Sequence, residues 1–114
     1  MNKDFAKFIK YFKGWQQCFG LTGYKVYFKC KPLVGVFASL SVSPSGMVAT
    51  VCLNSAPPDK DELLKDIKGS AKHEAIHLLL MRLEVNAKYR FSSEMEIDES
   101  VEELVYKLEG LIND

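Results

Sequence analysis

The stretch that most restricts this chain is His73-Glu74-Ala75-Ile76-His77, followed at once by Leu78, Leu79, Leu80, Met81 and Leu83. The dense apolar run predicts a core-facing helix. Two histidines four residues apart on a helix share one face, one turn above the other. From there both imidazoles can reach one metal ion. Glu74, on the same turn, can lean toward a water bound to that ion. The pattern H-E-x-x-H thus supplies two zinc ligands, His73 and His77, and a general base, the combination that hydrolyses peptide bonds. The chain has 2 histidines, and both lie in this motif. The competing reading is two ordinary histidines on a half-apolar helix, with no metal.

A catalytic zinc takes three protein ligands and a water. No third histidine remains, and no glycine or histidine follows at the offsets of the longer H-E-x-x-H-x-x-G-x-x-H pattern. A carboxylate is the natural substitute, from among Glu84, Glu94, Asp98, Glu99, Glu102 and Glu103. If the motif helix and the last helix form a hairpin turning near Arg90, residues equally far from the turn face each other. His77 lies 13 residues before Arg90, which puts its opposite number near Glu102 or Glu103. At about 100° per residue, Glu102 borders the apolar stripe Val101-Val105-Leu108, whereas Glu99 and Glu103 point away. Glu102 is therefore the expected third ligand, with Glu99 and Asp98 in reserve.

The 114 residues predict one domain, 1–114, of ordinary hydrophobic content. Lys plus Arg equals Asp plus Glu, so global charge argues for neither nucleic acid nor membrane as a partner. Cys18, Cys30 and Cys52 are odd in number, with no C-x-x-C, which fits reduced thiols in a cytoplasmic protein. The N-terminus has scattered charges and no apolar core of a signal peptide, and no run reaches transmembrane length.

Residues 3–19 carry Phe5, Phe8, Ile9, Phe12, Trp15 and Phe19 at helical spacing, with lysines opposite. That stripe reads as core; a membrane-surface face is the less favoured alternative. Tyr24–Phe28, Val34–Val42 and Met47–Leu53 read as strands, the last two forming a hairpin about Pro44-Ser45-Gly46. Asp59 can cap a helix beginning in KDELLKDI, which either breaks at Gly69-Ser70 or continues through the motif to about Lys88. Ser92 or Ser93 can cap the last helix, whose buried stripe is Ile97, Val101, Leu104, Val105, Leu108 and Ile112. Strands grouped together and helices grouped together predict an α+β fold: an N-terminal helix, a small three-stranded and mostly antiparallel sheet, the motif helix and a glutamate-bearing C-terminal helix.

HEAIHLLL followed by ESVEELVYKLEGL resembles the gluzincin metallopeptidases, which carry H-E-x-x-H on one helix and a glutamate ligand on the next. The compact layout from Trp15 onward is similar to small phage-encoded metallopeptidases and to the minigluzincins. The resemblance implies a zincin-like fold, a zinc cofactor and a peptide or protein substrate, met in a host cytoplasm if the chain is phage-encoded. In the larger gluzincins the glutamate ligand begins an E-x-x-x-D string. That string is met here only by Glu94-Asp98, which keeps Glu94 open as the third ligand. Tyr89, Arg90 and Tyr106 are the conceivable oxyanion donors.

The expected activity is that of a zinc endopeptidase, with Met47–Leu53 as an edge strand that pairs with extended substrate or serves only the sheet. The alternative is a zinc-bound structural or interaction module without catalysis, since a small fold gains from a metal cross-link. A terminal segment or a second copy lying in the cleft, as a latent form or homodimer, is a further expectation.

Overall fold

A computed structural model gives the architecture over residues 3–43, 45–56, 60–88 and 93–112. The element order is α1 (Lys3–Cys18), β1 (Lys25–Lys31), β2 (Ala38–Ser43), β3 (Val48–Asn54), α2 (Lys60–Ala87) and α3 (Glu94–Leu111). The class is α+β, as the order of periodicities predicted. Asp59, Ser92, Tyr89 and Arg90, each named above for a role, lie outside the described residues. Among the described residues no helix is long and apolar enough to cross a membrane.

The sheet departs from expectation. Its strand order is β1-β3-β2, with β1 parallel and β2 antiparallel to β3. It is mixed, and the 48–54 strand is central, so Met47–Leu53 is not the edge strand expected of it; β1 and β2 are the edges. The reason lies in which strand can be buried on both faces. β3 reads VATVCLN and is buried from Val51 through Asn54. β1 carries Lys25, Lys29 and Lys31 on its exposed face, and β2 alternates serine with apolar residues. Lysine and serine are tolerated at an edge and costly in the middle. The connection from β1 therefore passes over the end of β3 before the hairpin returns. Val34 and Val36 fall in that connection rather than in a strand, and Val34 is 99% exposed.

Asn54 organises the same connection. Buried at the end of β3, its side chain accepts from the backbone N–H of Leu33 at 3.0 Å and of Ala56 at 2.9 Å. It donates to the carbonyls of Leu33 at 3.1 Å and Val36 at 2.8 Å. All the polar capacity of a buried amide is thereby used, and the chain is held as it enters β2.

The main core joins α1, the sheet and α2. Phe8 and Phe12 are fully buried against Val51, Leu53, Ile67, Ala71, Ala75 and Leu78, and the Phe12 ring meets Phe28 edge-on at 5.5 Å. Ala71 and Ala75 let α1 approach α2 closely. Gln16 ties down the exit of α1 by donating to the carbonyls of Leu21 at 3.0 Å and Tyr24 at 3.1 Å. Of the stripe in residues 3–19, Phe8 and Phe12 are thus core, with Phe5, Trp15 and Phe19 half-buried against it.

α2 is two helical segments joined at a kink, and Gly69 and Ser70 lie just after the kink rather than at it. Its irregularity is at Asp66, with φ −119° and ψ 15°. The Asp66 carboxylate occupies the space that a side chain at Gly69 would need. A second, smaller core forms where Ile76 meets Ile97, Val101 and Val105 of α3. Leu104, assigned to this stripe from its spacing, is 40% exposed. α3 begins at a capping box: Ser93 Oγ accepts from the Glu96 N–H at 3.2 Å, and the Glu96 carboxylate accepts from the Ser93 N–H at 3.3 Å.

Candidate metal centre

The motif sits where α2 touches three neighbours. Ala75 and Leu78 enter the main core and Ile76 enters the α3 core. At about 100° per residue, the face between those two contacts carries Ser70, His73, His77 and Glu84. This face is the floor of a cleft whose walls are β2 and α3. One end of the cleft is a cavity of about 300 Å³ lined by residues including Phe37, Ala38, His73, Glu74, Glu102 and Glu109. The other, of about 240 Å³, is lined by Leu40, Glu74, His77, Met81, Glu84, Asp98 and Glu102. Glu74 and Glu102 belong to both, so they stand at the middle.

His73, His77 and Glu102 each offer a ligand atom, and these atoms lie within 4.8 Å of one another. The two oxygens of Glu102 divide between the rings: Oε1 is 3.1 Å from His73 Nε2, and Oε2 is 3.2 Å from His77 Nε2. Two imidazoles and a carboxylate are the donor set of a three-ligand zinc site, and all three come from helices. The donors therefore fit the metal the motif implies. Among the described residues these three make up the group able to hold an ion.

The reserve ligands stand elsewhere. Glu94 and Asp98 share Lys88, at 3.7 and 3.1 Å. Glu84 also reaches Lys88, at 3.6 Å. Glu99 and Glu103 are exposed. Asp98 lines the His77 end of the cleft without joining the donors. Tyr106 is exposed, lines the other end, and meets the His73 ring edge-on at 5.4 Å.

Glu74 is 8% exposed. Burial raises its pKa from 4.5 to about 7; the charge of His73 opposes the rise, and those of Glu102 and Glu109 add to it. A carboxylate poised there can both take and release a proton near neutral pH. Burial lowers the pKa of His73. The hydrogen bond that its Nδ1–H donates to Glu109 and the charges of Glu74, Glu109 and Glu102 outweigh that effect and hold it above its ordinary value. For His77 burial prevails over the charge of Glu102, and its pKa falls. Asp66 is raised, first by burial and then by the charge of Glu109.

Glu109 was not among the residues singled out from the sequence. It reaches His73 Nδ1 at 2.7 Å. The signal was present: Glu109 follows Glu102 by 7 residues, about two helical turns, and so shares its face. Tyr106 lies between them on the same face. A comparison of the chain with protein-family models, with curated proteins and with solved structures finds no match.

Proposed function

We propose that this chain is a zinc-dependent metallopeptidase of gluzincin type, hydrolysing peptide bonds in the cleft between β2 and α3. The observation that carries the reading is the approach of His73, His77 and Glu102 donor atoms to within 4.8 Å from two separate helices. These three residues would hold the metal. Bound zinc would supply positive charge at the scissile carbonyl and make a water acidic enough to react near neutral pH.

The remaining work belongs to the chain. Glu74 takes the proton of the attacking water at a carboxylate oxygen and returns it to the leaving amine. Its burial and its pKa of about 7 suit both transfers. β2, the sheet edge beside α2, can pair with the backbone of an extended peptide. Phe37 and Ala38 would then line the His73 end and Leu40 the His77 end. The test is Glu74→Gln, which should keep zinc and lose hydrolysis of a protein or peptide panel. Undiminished hydrolysis by that variant would end the proposal.

One observation favours a second reading, a zinc-bound module without catalysis. α3 is anchored by a small core in which Ile76, Ile97, Val101 and Val105 are buried and Leu80, Leu108 and Ile112 are partly buried, so a metal joining α2 to α3 would add appreciable stability. Zinc binding with no hydrolysis of any substrate by the unaltered protein would favour it.

A further inference from the structure

Both ring nitrogens of His73 face a carboxylate. Nδ1 is 2.7 Å from Glu109 Oε1, and Nε2 is 3.1 Å from Glu102 Oε1. A neutral imidazole carries one hydrogen, and an ionised carboxylate can only accept. The two carboxylates therefore compete for that hydrogen. The shorter, charge-assisted contact is the stronger one, which places the hydrogen on Nδ1 and leaves the Nε2 lone pair toward Glu102 and His77. His77 is different: among the described residues the carboxylate its ring meets is Glu102, at Nε2.

We propose that Glu109 is a positioning residue that locks His73 in the Nδ1–H tautomer, so that Nε2 is ready to bind metal before any metal arrives. Resting on the metal site proposed above, this inference concerns a residue that touches neither substrate nor ion. Carboxylates in this position fix the orientation of a ligating imidazole and raise its basicity; removing one commonly weakens metal binding about 10- to 100-fold. Glu109 lies one face-repeat beyond Glu102 on α3, so one rigid helix sets both the ligand and the group that aims its neighbour. The side chain of Glu109 is 24% exposed, and among the described residues no other hydrogen bond or ion pair holds it.

The experiment is two-bond ¹H–¹⁵N spectroscopy of the imidazoles in metal-free protein at alkaline pH, where both rings are neutral. With 2 histidines in the chain the assignment is direct. His73 should show the Nδ1–H form, which is the less populated tautomer of a free histidine side chain. Glu109→Ala should shift it toward Nε2–H and weaken zinc binding, measured by competition with a chromophoric chelator, by about 10- to 100-fold. Glu109→Gln keeps a carbonyl acceptor and should preserve the tautomer with a smaller loss. Glu103→Ala removes a charge from the exposed side of α3 and should move neither reading. An unchanged His73 tautomer in Glu109→Ala, or the Nε2–H form in the unaltered protein, overturns the proposal. Failure of the unaltered protein to bind zinc would sink the metallopeptidase reading, while the tautomer comparison would still decide the role of Glu109.

Discussion

If zinc bridges the two helices, the helix that gains most is α3. Three of its side chains, Ile97, Val101 and Val105, are buried, against Ile76 of α2 with Leu80 and Ala87 at its margin. Against this modest contact stands the entropy of ordering an 18-residue helix. In metal-free protein α3 should therefore open locally, at a free energy below that of global unfolding. Opening separates Glu102 from His73 and His77 and so destroys the site. At free zinc about 100 times Kd, binding opposes that opening by about 2.7 kcal/mol, making it about 100-fold rarer. Hydrogen exchange read residue by residue checks this. Amides of Val101 through Leu108 should slow by about that factor between chelator and zinc. Glu102→Ala should erase most of the gain even though both histidines remain. If zinc perturbs the two imidazoles but leaves α3 exchange unaltered, no carboxylate of α3 is a ligand and the reasoning fails.

A pH experiment on metal-free protein probes Glu74. Its folded pKa lies above the ordinary 4.5, at about 7, so the folded state retains a proton that the unfolded chain releases. The associated stability is whole below about pH 4.5 and is lost as pH rises to about 7, by roughly 3 kcal/mol at 1.4 kcal/mol per pH unit. His73, raised, contributes in the same sense, and His77, lowered, in the opposite one. Urea midpoints should accordingly fall less over this window in Glu74→Gln, and equal slopes would contradict the assignment. Ser93→Ala removes the capping box at the start of α3 and should cost about 1 kcal/mol, seen as faster α3 exchange with little change in β3. Phe12→Ala empties a fully buried site and should lower stability by about 3–5 kcal/mol in chemical denaturation.

Much of the site could be read from the letters because its geometry is helical. Four residues separate His73 from His77 and seven separate Glu102 from Glu109, and both spacings keep a face. The hairpin argument that favoured Glu102 needed only two helices and a turn, and the structure brings Glu102 to both imidazoles. Glu94 and Asp98 are engaged by Lys88 instead, a partner just past the end of α2 that no local pattern announces. The sheet was harder. Strand composition gave the strands and the hairpin, but the order β1-β3-β2 depends on a connection whose path is set by Asn54 contacting Leu33 and Val36, residues 21 and 18 positions away. Periodicity within a strand carries no such information. The lysines of β1 and the serines of β2 were the available clue that both belong at edges.

The two letters that the motif leaves open turn out to be the least free. Ala75 and Ile76 are both wholly inaccessible to solvent; turned about 100° apart around the helix, they enter the molecule's two interiors, one each. A library randomised at these positions, with His73, Glu74 and His77 retained, should lose folded members far faster than the pattern H-E-x-x-H suggests. Survivors should keep a small residue at 75 and a branched aliphatic at 76. In this chain the wildcard positions act as the seam that fastens the chemistry to its scaffold.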